Sequence, residues 1–142
     1  MQSFNNRRPS DFVPLPDVIH LTSEALCNTN FRKEIFTGCH LQATLMCIPP
    51  RCDIGAEVHE NVDQMLFIVQ GQGVAVLGTS SCQPQKRCRV RGGDAIFVPA
   101  GTWHNVINTA RMPLKLVSVY APPNHPVGTL QRTKADAARE EY

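Results

Sequence analysis

Residues 57 to 64 read Glu-Val-His-Glu-Asn-Val-Asp-Gln, which sets a carboxylate, an imidazole and a carboxamide at spacings suited to one divalent ion. Glu57 and His59 are two positions apart, so on an extended segment both side chains leave the same face. Gln64 opens an apolar run, and a short turn through Glu60, Asn61, Val62 and Asp63 would return it beside them. His104 stands in a separate stretch, residues 93–108, where a Gly-Asp turn opens an apolar run and a Pro-Ala-Gly corner hands over to Trp103, His104 and Asn105. Two imidazoles and a carboxylate with open coordination positions suit iron(II), manganese, nickel or catalytic zinc. Shifting the turn by one residue would offer Asp63 in place of Gln64, but the same shift would flip the apolar set behind it, so strand alternation disfavours it.

Short strands have to carry these residues. Turn signals recur at Pro49-Pro50, Gly55, Gly71 and Gly73, Gly78, Gly92-Gly93, Pro99-Ala100-Gly101, Pro113 and Pro122-Pro123. Between them lie the apolar runs 65–69, 74–77, 95–98 and 114–120, and before them 31–36 and 41–48 read as two strands about Gly38. Strands this short, with no helical pattern between them, predict an antiparallel sandwich or barrel. If Gln64, Leu66 and Ile68 face inward, Met65, Phe67 and Val69 need cover from another sheet, the N-terminal arm or a second subunit. That doubly apolar strand is the reason to expect a homodimer.

Residues 79–91 form a polar insertion with Lys86, Arg87, Arg89 and Arg91, expected as a solvated hairpin. Residues 1–18 carry Pro9, Pro14 and Pro16 and predict an arm, followed by a short polar segment from Ser23 to Thr29. Near the other end, Thr133 with Asp136 predicts the capped start of a surface helix.

A chain of 142 residues is the size of one domain, and a formal charge of +2 gives no case for nucleic acid. No signal-peptide core or membrane-length apolar run is present, so the expected location is cytoplasmic, without a membrane partner. The six cysteines contain no C-x-x-C pair and are expected as reduced, mostly buried thiols, although Cys82 and Cys88 flank the insertion and could bridge if oxidised. His20, His40 and His125 are expected to be structural or exposed, with the Pro-rich loop around His125 placed to cover a barrel mouth. Trp103 is expected as a rim or core aromatic that could also line a ligand pocket.

Two motifs in this chain resemble those of the cupins. The second cupin motif, G-x5-P-x-G-x2-H-x3-N, is filled at every defined place by Gly93, Pro99, Gly101, His104 and Asn108. The first, G-x5-H-x-H-x3,4-E-x6-G, keeps its spacing but holds Arg51, Glu57, His59, Gln64 and Gly71. The resemblance implies an all-β fold, a double-stranded β-helix or jelly-roll cupin barrel over residues 31–121. An N-terminal arm (1–30) would precede it and a C-terminal loop and short helix (122–142) would follow. It also implies a metal site, which cupins usually build from three histidines and a glutamate; by position these become Glu57, His59, Gln64 and His104. The expected cofactor is one divalent metal ion (Fe, Mn, Ni or Zn) and the expected partner a small oxygenated organic molecule. Dioxygenase-type and sugar-isomerase-type chemistry stay open, as does a binding or sensing barrel without turnover.

Overall fold

The runs between turn signals do form strands in the computed structural model, which describes residues 13–80 and 84–140. The first twelve residues of the expected arm, and Cys82 of the conceivable bridge, lie outside that description. In order, the elements are α1 (Leu21–Cys27), β1 (Arg32–Thr37), β2 (Gln42–Ile48), β3 (Asp63–Gln70), β4 (Gln72–Gly78), β5 (Pro84–Arg91), β6 (Ala95–Val98), β7 (Trp103–Asn108), β8 (Leu114–Ala121), β9 (Leu130–Gln131) and α2 (Lys134–Arg139). One sheet runs β6-β3-β8-β2-β1-β9 and the other β5-β4-β7, with every pairing antiparallel. The fold is the expected double-stranded β-helix.

The core lies between the sheets. Met46 and Ile48 of β2, Leu66 and Ile68 of β3, Val106 of β7, and Leu114 and Leu116 of β8 are buried there, each from alternate strand positions. On β3 this leaves Gln64, Leu66 and Ile68 buried and Met65, Phe67 and Val69 half-buried on the outer face. Cover for that outer face comes from α1, whose Ala25 is buried against Leu45 and Val117 with Phe67, Val69 and Val119 around them. The polar segment predicted after the arm is therefore a helix. Lys115 fixes its end by donating from Nζ to the carbonyl of Asn28 at 2.5 Å, where a cation meets the negative end of the helix.

The insertion is a hairpin, as expected, with β5 paired along β4. Close approach of β4 to β7 requires glycine at position 73, where a Cβ would lie 2.3 Å from the Ile107 carbonyl oxygen. The C-terminal helix begins with the expected capping box: the Thr133 hydroxyl accepts from the Asp136 amide, and the Asp136 carboxylate accepts from the Thr133 amide. Just before it, β9 pairs with β1, which brings α2 back to the barrel rim. No helix of the described residues is long and apolar enough to cross a membrane.

Candidate metal centre

Strand β7 carries the site at its first inward position. Its burial alternates, with His104, Val106 and Asn108 buried and Trp103, Asn105 and Ile107 half-buried on the other face. Trp103 therefore points away from His104 and is absent from the cavity wall, so of its two expected roles only the rim or core aromatic is met. The outward Asn105 anchors the segment that runs beside it, for its Oδ1 accepts from the Gly55 amide at 3.0 Å and its Nδ2 donates to Asp53 Oδ2 at 2.9 Å. The same carboxylate pairs with Lys134 of α2. Hydrogen bonds and charge pairing together hold Asp53 below the usual carboxylate range, although burial alone would raise it and is the largest single influence.

That contact lays residues 53–57 alongside β7. Two isolated bridges, Asp53 with Ile107 and Glu57 with His104, replace the continuous strand expected through Glu57 and His59. The Glu57 and His104 amides each donate to the other's carbonyl, at 3.0 and 2.9 Å. In such a pair the side chains leave the same side, so carboxylate and imidazole arrive together. His59 lies beyond the ladder, where its carbonyl accepts from the Gly101 amide at 2.8 Å. Gly101 makes this corner at φ +81°, a conformation open to glycine at little cost. The corner is fixed from the other side by Asp63, whose Oδ1 accepts from the Ala100 amide at 2.9 Å. Asp63 is thus an exposed turn anchor, and Gln64 is the buried member of the two.

The ligand-type atoms of Glu57, His59 and His104 all lie within 4.8 Å of one another. His59 Nε2 and Glu57 Oε2 are 3.5 Å apart, too far and too poorly aligned for a hydrogen bond. His104 Nδ1 lies 3.0 Å from the Thr102 carbonyl, which can only accept, so Nδ1 carries the hydrogen and Nε2 presents its lone pair. Gln64 donates from Nε2 to Ser118 Oγ at 2.8 Å, which leaves Oε1 as its unused end. His59 Nε2, His104 Nε2 and Gln64 Oε1 are all buried without a hydrogen-bond partner. Burial lowers the His59 pKa most, with the His104 and Arg32 charges adding to the effect and Glu57 opposing it, so this imidazole is neutral at neutral pH. Unprotonated imidazole nitrogen and carboxylate oxygen are the donors that a divalent cation needs. The residues present fit a metal ion.

In front of Glu57 and His59 opens a cavity of about 450 Å³, walled also by Phe31, Arg32, His125, Gln131 and residues of α2. Tyr120 is buried behind two of these wall residues, its ring 6.1 Å from that of His59 and 5.1 Å from that of His125, with its hydroxyl 3.3 Å from His125 Nε2. His125 is held in place by Gln42, whose Oε1 accepts from the Asn124 and His125 amides at 3.0 and 2.9 Å and whose Nε2 donates to the His125 carbonyl at 2.7 Å. Burial pushes the His125 pKa down to about 3, with the Arg32 and His59 charges acting in the same direction. Arg32, Gln42, Tyr120 and Gln131 gave no signal in the sequence as site residues; each sits in an ordinary strand pattern, and only the pairing of β1, β2, β8 and β9 brings them together.

Comparison with known proteins agrees with this construction. The family model described as cupin domain matches residues 44–120, more than half of the chain. The uncharacterized protein YrkC of Bacillus subtilis (strain 168) is 50% identical over 131 residues, covering 92% of this chain and 70% of its own. An uncharacterized protein of Acanthamoeba polyphaga mimivirus is 35% identical over 114 residues, or 80% of this chain and 69% of its own. Among solved structures, BH2720 from Bacillus halodurans superposes with a TM-score of 0.88 at 45% identity, covering 89% of this chain and 96% of that one.

Proposed function

The chain belongs to the cupin family, and we propose on that footing that Glu57, His59 and His104 hold one divalent metal ion, with the Gln64 carboxamide oxygen in a fourth place. The observation that carries this reading is the pair of buried ring nitrogens without hydrogen-bond partners, His59 Nε2 and His104 Nε2, in a group with the Glu57 carboxylate whose ligand-type atoms lie within 4.8 Å of one another; Gln64 Oε1 is likewise buried and unused. Left unbound, such atoms would each cost about 1–3 kcal/mol of desolvation, and a cation offsets that cost. The altered first motif is consistent with binding, because the carboxylate has moved from the fourth ligand place to the first and the charge of the donor set is unchanged.

The reading extends to an enzyme that acts on a small oxygenated organic molecule seated in the cavity before Glu57 and His59. When bound, the metal would supply Lewis acidity toward substrate oxygens and, if redox-active, a route to dioxygen. The protein's own share is support and proton handling. Thr102 and the Glu57 ladder orient His104, the Pro99 to Gly101 corner orients His59, and the α2 rim with His125 narrows the mouth against water. Tyr120 Oη and His125 Nε2, in contact beside the ligands, are placed to hold or pass a proton at the substrate.

Elemental analysis of the purified protein and of its Glu57→Ala and His104→Ala variants tests the metal reading. The wild type is expected to carry close to one divalent ion per chain and both variants to lose it; full retention in both removes the reading. Turnover that requires oxygen would favour a dioxygenase, and turnover without it an isomerase. A homodimer remains part of the proposal, supported by Phe97, which is 72% exposed on the edge strand β6; a monomeric mass in light scattering would overturn it.

A further inference from the structure

Arg32 is the one strongly buried cation on the cavity wall, and its charge has no carboxylate partner. The residue is 5% exposed, and among the described residues no carboxylate lies within ion-pair distance of it. One nitrogen, Nη1, donates to the Gln131 carboxamide oxygen at 2.5 Å, while Nε is buried with no partner. Behind it the Phe31 ring lies 5.3 Å from the guanidinium carbon and closes off that side. The other charges on the wall are engaged or set apart: Lys134 pairs with Asp53, Glu57 faces His59, and Glu140 is separated from Arg32 by Gln131, from whose Nε2 it accepts at 3.2 Å. A buried guanidinium is stable when its charge is matched and its hydrogens are used; here no carboxylate matches the charge, Nε is unused, and the residue lines the cavity.

We propose that Arg32 is the recognition site for a carboxylate group, and that the small molecule taken into this barrel is an organic acid. The acid group would lie on the guanidinium and its oxygenated portion toward Glu57 and His59, so the inference rests on the reading above for the second half of the ligand but not for the first. A carboxylate fits better than a phosphate. The planar fork of arginine matches two coplanar oxygens, one cation balances one negative charge, and Lys134, the second cation on the wall, is already neutralised by Asp53. The cavity of about 450 Å³ suits a ligand of modest size. Gln131 then has a clear role, for its neutral oxygen orients Arg32 without cancelling the charge.

Calorimetric titration of the metal-free protein separates this proposal from the metal reading. Pyruvate is expected to bind at least about tenfold more tightly than its neutral amide, pyruvamide, and more tightly than inorganic phosphate. Arg32→Gln should bring pyruvate down to the level of pyruvamide. Because removal of a buried arginine can unsettle the fold, Gln131→Glu provides a second arm: it keeps Arg32 but supplies an internal carboxylate at the same contact, and should abolish the preference for pyruvate while leaving Mn(II) affinity within about threefold. Equal binding of pyruvate and pyruvamide, tighter binding of phosphate, or an unchanged preference in a folded Gln131→Glu protein would each overturn the proposal. Failure of Mn(II) to bind the wild type would count against the metal reading alone.

Discussion

Glu57 and His104 exchange both backbone hydrogen bonds across an antiparallel bridge, which makes a carboxylate and an imidazole from distant parts of the chain immediate neighbours on one face. Their side chains can therefore be altered without disturbing what aligns them. Glu57→Gln keeps the ladder and the side-chain volume and removes only the charge. Mn(II) affinity, followed by electron paramagnetic resonance of the free ion, is expected to fall by at least about tenfold, while the melting temperature of the metal-free protein stays close to that of the wild type. Wild-type affinity in this variant would show that the carboxylate does not reach the ion.

Gln64 gives the converse case. Its side chain is 6% exposed, with Nε2 on Ser118 and Oε1 unused. Gln64→Glu places a second carboxylate at the metal, so metal affinity should rise by about tenfold or more. Without metal the same change buries an uncompensated charge and should lower stability by roughly 1–3 kcal/mol. Unfolding curves with and without Mn(II) measure both effects. A variant whose affinity does not change would place position 64 outside the coordination sphere.

Arg51 occupies the place where the cupin motif has glycine, and it does so at φ +62°, in the left-handed region. The backbone has kept the turn that a glycine would make, at the expense of a Cβ close to a carbonyl. Arg51→Gly should relieve that strain. Allowing for the greater freedom glycine gains in the unfolded chain, the net stabilisation is roughly 0.5–1 kcal/mol. Denaturant titration with an unchanged slope is the measurement, and a destabilised variant would mean that the side chain contributes more than the turn costs.

The second motif was more legible than the first because every defined residue type stands at its place. Gly101 makes a corner, and Asn108 ties loops: its Nδ2 donates to the carbonyls of Ile48, Pro49 and Met112 at 3.0, 3.2 and 2.9 Å, and its Oδ1 accepts from the Ala110 amide at 3.0 Å. Asn108→Ala strands those buried groups and should cost roughly 2–4 kcal/mol in chemical denaturation; a loss well under 1 kcal/mol would mean that water replaces the side chain. Arg32, by contrast, was hidden. It precedes Lys33 and Glu34 in a strand that reads as solvated, and it is buried only because Gln131 arrives opposite it through β9. Helix α1 was also concealed, since Leu21, Thr22, Ser23, Glu24, Leu26 and Cys27 are all exposed and Ala25 alone enters the packing. The alternation of β3 showed that its outer face needed cover, but periodicity on one strand says nothing of which element provides it.

His125 sets the pH response of the metal-free barrel. Its pKa is about 3 when folded and near 6.5 when the chain is open, so between those values the unfolded state holds more protons. Stability from this group is therefore complete above about pH 6.5 and lost as pH falls toward 3, the direction required when burial disfavours the imidazolium. The loss should reach roughly 2–4 kcal/mol once partial solvent access is allowed for. His59, lowered in the same direction, adds to the slope. His125→Asn isolates the share of His125: its stability between about pH 6.5 and 4, from urea unfolding, should decline less steeply than that of the wild type. Parallel curves for the two proteins would mean that His125 protonates in the folded barrel without penalty and that the loop held by Gln42 opens to admit the charge.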